Sequence, residues 1–217
     1  EKESLFLVSD FAKNYFKKNL FQEEGKTIAL SYLKERKFKK DIIEKFEIGY
    51  SVKIKDDFSK AALDAGYKLN FLEKTGLTIV KDSENIDRFR GRVIFPIKSM
   101  SGRILGFGGR ILGSSKHLAK YINSPETLIY QKSKVLYGIY ESKQSIVKND
   151  NCFLVEGYTD VIKMHQCGIS NVVASSGTAL TENQIRLINR LTKNITVVFD
   201  GDAAGSRATL RGIDLIL

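Results

Sequence analysis

The sequence predicts an α+β first part, in which helices are followed by a mainly antiparallel β region, and then an α/β part with a parallel central sheet. Three observations predict it. Apolar residues recur at helical spacing near the start of the chain, and short β-type runs bounded by glycine-rich turns follow from residue 92. From residue 151 strand-like and helix-like segments alternate, which is the pattern of a parallel sheet. The 217 residues are 42% hydrophobic and 28% charged, ample for a packed core. The division falls at 1–148 and 149–217, with a basic, β-rich region beginning at about residue 88.

Leu5, Val8, Phe11, Ala12, Tyr15, Phe16 and Leu20 form the apolar stripe of a first amphipathic helix. Gly25 reads as a break, after which a second helix runs over 27–36 and a short third over 41–46, ending before Gly49. Residues 56–75 predict a helical pair with Gly66 and Gly76 as stops. Residues 92–97 and 103–107 predict a hairpin with Ser99-Met100-Ser101-Gly102 as its turn. Gly106, Gly108 and Gly109 then serve as bulges or let backbone approach a ligand closely. In the last part, strands are expected at 152–155, 171–174 and 195–199. Helices are expected at 159–167, at 181–191 with Thr181 as cap, and at 203–217.

Composition excludes several classes. Two cysteines without a C-x-x-C pair and two histidines build neither a disulfide framework nor a zinc ribbon. This points to a reducing, cytoplasmic setting in which Cys152 and Cys167 are buried and inert, and His117 and His165 carry no identifiable role. No apolar run approaches the roughly 20 residues of a spanning helix, and Glu1-Lys2-Glu3-Ser4 lacks a signal-peptide pattern, so no membrane partner is expected. The abrupt end at Ile216-Leu217 suggests a truncated chain.

Charge is concentrated. The net charge is +10, yet residues 1–87 carry 17 Lys and Arg against 16 Asp and Glu, and residues 149–217 carry 6 against 7. Residues 88–148 carry 12 against 2 and supply the whole excess. These cations are interleaved with Phe, Ile and Tyr, so they predict a folded surface that contacts phosphates rather than a disordered tail; the plain alternative is a solvated face.

The acids lie elsewhere. Ligands of an open parallel sheet bind at the carboxyl ends of its strands. Glu156 directly follows the first predicted strand of the α/β part, within Glu156-Gly157-Tyr158-Thr159-Asp160. Asp200 and Asp202 follow the third, within Asp200-Gly201-Asp202-Ala203-Ala204-Gly205. Such oxygen donors suit Mg²⁺ or Mn²⁺. An acidic metal centre on a chain with a basic stretch suits phosphoryl transfer on nucleic acid. Taken singly, each acidic cluster reads equally as a turn or a helix cap.

These residues resemble the catalytic core of bacterial DNA primase of the DnaG type, whose last part is the TOPRIM fold. Glu156 to Asp160 is similar to the family's Glu-Gly-Tyr-x-Asp motif, and Asp200 to Gly205 to its Asp-Gly-Asp-x-Ala-Gly. Ser175 to Leu180 resembles the loop between them. Upstream, Arg90 to Ile97, Gly106 to Arg110, Lys120 to Thr127 and Leu136-Tyr137-Gly138 resemble the primase RNA polymerase segment.

The resemblance implies DNA-directed RNA primer synthesis from nucleoside triphosphates on single-stranded DNA in replication. Glu156 becomes a metal ligand or general base, Asp200 and Asp202 metal ligands for Mg²⁺ or Mn²⁺, and Asp160 a supporting acid. Arg92, Arg110, Lys120, Tyr121, Asn123, Lys132 and Lys134 become nucleotide- or template-binding residues. The RNA primer is a further partner. The replicative helicase is a partner through a C-terminal domain, and zinc belongs to an N-terminal domain, neither of which lies in this chain. A further acidic cluster of the family falls beyond Leu217. The alternatives are a TOPRIM nuclease or topoisomerase, the latter needing a nucleophilic tyrosine, and a non-catalytic single-strand-binding module.

Overall fold

The computed structural model describes residues 1–113, 118–177 and 179–201, and the chain falls into two units. The first comprises Glu1–Pro96 and Arg103–Tyr130, and the second Ile97–Gly102 and Gln131–Leu217. Among the described residues no helix is long and apolar enough to cross a membrane.

The first unit is built on α1 (Lys2–Leu20), whose stripe is buried at Leu5, Val8, Ala12, Phe16 and Leu20. Phe16 sets the centre of the core. Its ring lies 5.4 Å from Phe58 and meets Phe107 edge-on at 5.6 Å, in a cluster with Phe89, Ile94 and Ile104. A Cβ at Gly49 would fall 2.6 Å from that of Phe16, so β1 (Gly49–Ser51) passes along α1 only because residue 49 has no side chain.

Gly25 is not the break the sequence suggested. The chain turns through a π-helical stretch at Gly25–Leu30 directly into α2 (Ser31–Glu35). A Cβ at Gly25 would lie 2.0 Å from the Asn19 carbonyl oxygen, so the glycine serves close backbone approach. The helices α3 (Lys40–Lys45), α4 (Asp57–Asp64) and α5 (Leu69–Lys74) follow as expected, with Gly66 (φ 87°) and Gly76 (φ 69°) after the last two.

The antiparallel pair β2 (Thr78–Lys81) and β3 (Glu84–Asp87) was not legible in the sequence. Only Thr78 is buried in β2, so no alternation marks it. Its turn places Asp82 and Ser83 at positive φ without a glycine. Asp87 then caps α4 from a distance, accepting from the Phe58 N–H at 2.7 Å, the Ser59 N–H at 3.1 Å and the Ser59 hydroxyl. The main sheet adds β4 (Arg92–Lys98), β5 (Ile104–Ile111) and β6 (Tyr121–Asn123) in the order β1-β4-β5-β6. Gly106 faces Ser124 and Tyr130, and Gly109 faces Phe89 and Arg92, so these glycines admit protein side chains rather than a ligand.

The second unit is the α/β part. After α6 (Ile139–Asn149) come β7 (Cys152–Val155), α7 (Tyr158–Gln166), β8 (Val172–Ala174), α8 (Glu182–Ile188) and β9 (Ile195–Val197). The sheet order is β8-β7-β9 and both pairings are parallel, as alternation predicts. Leu136, Ile139, Ile146, Cys152, Leu154, Val173 and Ile188 form the core, with Met100 packed on it. Lys98 and Glu141 form a buried pair at 2.7 Å, and Lys143 donates to the Met100 carbonyl at 2.8 Å. His165 is buried against the Ser142 hydroxyl at 2.9 Å. Cys152 is buried as expected, but Cys167 is exposed, because it follows the last turn of α7 rather than its apolar face. The expected helix at 203–217 and His117 lie outside the described residues.

Candidate functional site

The carboxylate side lies in the second unit. The Val198 N–H donates to the Leu154 carbonyl at 2.8 Å, which leads the chain after β9 along the end of β7. Two residues on, the Asp200 N–H donates to Glu156 Oε1 at 3.0 Å, so the two acidic loops meet. The loop after β8 joins them, with the Ser176 N–H donating to the Glu156 carbonyl at 3.0 Å. All three strands therefore deliver their carboxyl ends to one place, as an open parallel sheet does. Asp160 Oδ2 accepts the Gly157 N–H at 3.0 Å and closes the first turn of α7.

Asp202 lies outside the described residues, and no group of three metal-ligating side chains occurs among those described. The donors present are carboxylates on adjoining loops, one half-buried and one exposed, which fits a hard, partly hydrated cation. Glu156 and Asp200 would hold it.

In the same unit Lys132–Lys134 form a 3₁₀ turn. Gln184 and Thr181, at the start of α8, reach it. The Gln184 amide donates to the carbonyls of Lys132 and Val135 at 3.2 and 2.9 Å, and the Thr181 hydroxyl donates to that of Ser133 at 2.6 Å.

The other cations are in the first unit. The Arg110 guanidinium lies 4.8 Å over the Tyr32 ring and 5.4 Å over Tyr121, and its Nη1 donates to the Tyr121 hydroxyl at 3.0 Å. Its Nε is buried with no hydrogen bond among the described residues. Arg36 shares the Tyr32 ring at 5.7 Å. Burial pushes the Tyr32 phenol upward against the pull of both guanidiniums. A cleft of about 260 Å³ is lined by Tyr32, Arg110, Leu118 and Lys120, among others. Asn123 pairs with Gly108 across the β5–β6 ladder. Arg92 is engaged differently, since it is buried and its Nη1 donates to the carbonyls of Gly109, Ala119 and Lys120 at 3.3, 3.0 and 3.4 Å.

Sequence reasoning missed Tyr32, Arg36 and Gln184. Tyr32 reads as helix packing and Arg36 as one charge of a balanced segment. Only the chain path shows that they share a site with Arg110. Gln184 carried one signal, as the fourth member of the Thr-x-x-Gln capping box.

Comparison with known proteins agrees with this geometry. Residues 15–143 match the family described as DNA primase catalytic core, N-terminal domain, and residues 153–217 match a Toprim-like family. The DNA primase of Halalkalibacterium halodurans is 42% identical over 219 residues, covering 100% of this chain and 36% of the relative. The RNA polymerase domain of Mycobacterium tuberculosis primase DnaG superposes with a TM-score of 0.92 at 35% identity, covering 99% of this chain and 72% of that one. A DnaG primase catalytic domain bound to single-stranded DNA superposes with a TM-score of 0.90 at 35% identity, covering 100% and 67%. The chain thus spans about a third of the length of the curated relatives it matches.

Proposed function

This chain belongs to the DNA primase catalytic-core family, and from that premise we propose that it carries the nucleotidyl-transfer core of DNA-directed RNA primer synthesis in replication. The observation that carries the reading is the meeting of the Glu156 and Asp200 loops at the carboxyl ends of the neighbouring parallel strands β7 and β9. In this reading the TOPRIM subdomain occupies residues 149–217. Glu156 is a metal ligand or general base, Asp200 and Asp202 complete the acidic set, and Asp160 supports it by fixing the start of α7. Bound Mg²⁺ or Mn²⁺ supplies activation of the 3′-hydroxyl and neutralisation of the departing pyrophosphate.

The chain's own side chains do the rest. Arg110, Lys120, Tyr121, Asn123, Lys132 and Lys134 hold the phosphates of nucleotide or template. Arg110 offers a guanidinium fork that lies over two tyrosine rings. Arg92 acts behind them by holding the backbone of Lys120. Single-stranded DNA, RNA primer and nucleoside triphosphates are the partners, with the helicase engaged through the family's C-terminal domain, in the cytoplasm at the replication fork.

The test is incorporation of labelled ribonucleotides on single-stranded DNA with Mn²⁺, in the parent and in Glu156→Gln. The expected result is a template-dependent, metal-dependent RNA product that the substitution removes. Metal-dependent nicking of duplex DNA, a covalent tyrosine–DNA adduct, or DNA binding alone would each overturn the proposal in favour of a nuclease, a topoisomerase or a binding module.

A further inference from the structure

We infer that Gln184 and Thr181 are positioning residues for phosphate recognition: from the start of α8 they fix the shape of the turn that carries Lys132 and Lys134. The inference rests on the proposed role of those lysines. A 3₁₀ turn is short and its internal hydrogen-bond geometry is poor. Here the turn's own bond, from the Lys134 N–H to the Gln131 carbonyl at 2.9 Å, is supplemented from outside at three carbonyls.

Gln184 is 0% exposed. Both of its amide protons are used, on Lys132 and Val135, and its Oε1 accepts the Thr181 N–H at 3.1 Å. The Thr181 hydroxyl donates to Ser133 while accepting the Gln184 N–H at 3.3 Å. Packing alone would favour an apolar residue beside the buried Ile185 and Ile188. A glutamate lacks the donors, and an apolar side chain would leave two carbonyls without them. A planar amide with two donors and one acceptor is what this position requires. The consequence reaches the lysines because a lysine is a point charge on a flexible stem, and the place where it meets a phosphate is set by its backbone.

The experiment measures binding of a fluorescein-labelled oligothymidylate, and of labelled ATP with Mn²⁺, to the whole chain. The variants are Lys132→Ala, Gln184→Met, the two combined, Thr181→Val and Thr181→Ser, with folding followed by circular dichroism. Whichever ligand Lys132→Ala weakens identifies the phosphate as that of template or nucleotide. For that ligand Gln184→Met and Thr181→Val should each weaken binding about three- to tenfold, less than the loss of a whole charge-assisted contact, because the lysines are displaced and not removed. The combined variant should lose less than the product of the two single losses, because Gln184 acts in part through Lys132 and only its effect on Lys134 remains, and Thr181→Ser, which keeps the hydroxyl, should bind like the parent. Parent-like binding by Gln184→Met or Thr181→Val, or a fully multiplicative loss in the combined variant, overturns the inference and leaves the lysine's role standing. Unchanged binding of both ligands by Lys132→Ala instead refutes the reading of that lysine, and the inference falls with it. If Gln184→Met fails to fold, Thr181→Val decides, because it alters a hydroxyl on a half-buried residue.

Discussion

At the residue scale, the environment of a side chain separates residues that the sequence leaves alike. The two cysteines are an instance. Cys152 begins β7 inside the core, where burial pushes its thiol up to about 12, while Cys167 is exposed after α7. At pH 8 a thiol with that value is ionised at about one part in ten thousand, and the thiolate is the nucleophile. Iodoacetamide should therefore label one thiol of the native chain, Cys167, and the second only in denaturant, as read by mass spectrometry. Rapid labelling of both would show that the start of β7 opens. Arg92 and Arg110 make the same point: both are arginines of a basic stretch, yet one is committed to three carbonyls and the other lies over two rings. The sequence showed which residue types were available and where the acids fall relative to strands. It did not show which cations are occupied, because that depends on carbonyls far along the chain.

At the scale of elements, Asp87 joins β3 to the start of α4. Burial is the largest influence on its carboxyl and pushes it up to about 6, while the Ser59 hydroxyl and the two N–H groups pull it down. Its folded value lies above the unfolded one near ~4, so the native state holds the proton more tightly. That contribution to stability is fully present below pH ~4 and is lost as pH rises through ~6. Thermal melts of the parent and Asp87→Asn should show the parent's advantage shrinking across that window. A constant difference would mean that the three donors hold the group ionised throughout. Long, periodic elements such as α1 and the strands of the parallel sheet were legible from pattern. The hairpin of β2 and β3 was not, since three of the four residues of β2 are exposed. Gly25 was misread because a glycine that permits close contact and a glycine that ends a helix look the same in one sequence.

At the scale of the whole molecule, the basic excess of residues 88–148 should appear as salt dependence. For a single strand the slope of log affinity against log salt falls by roughly 0.7 for each phosphate contact removed. Arg110→Ala and Lys120→Ala should each lower the slope by about that amount across unrelated sequences; unchanged slopes would place the DNA elsewhere. The path of the chain has a different consequence, for engineering. The main hairpin gives its tip, Ile97–Gly102, to the second unit and its shafts to the first, so the backbone passes between units after residues 96, 102 and 130. A single cut cannot separate them. A hybrid that exchanged only residues 131–217 with those of a relative would keep this chain's Lys98 and Met100 in a foreign second unit, although one is the partner of the exchanged Glu141 and the other packs on the exchanged core. Where the relative has no acid at the position of Glu141, Lys98 stays buried without the carboxylate it pairs with, at a penalty of about 3–5 kcal/mol for a buried charge. A transplant that carries the six-residue tip along with the second unit avoids that penalty, which makes the tip, rather than any linear boundary, the unit of exchange.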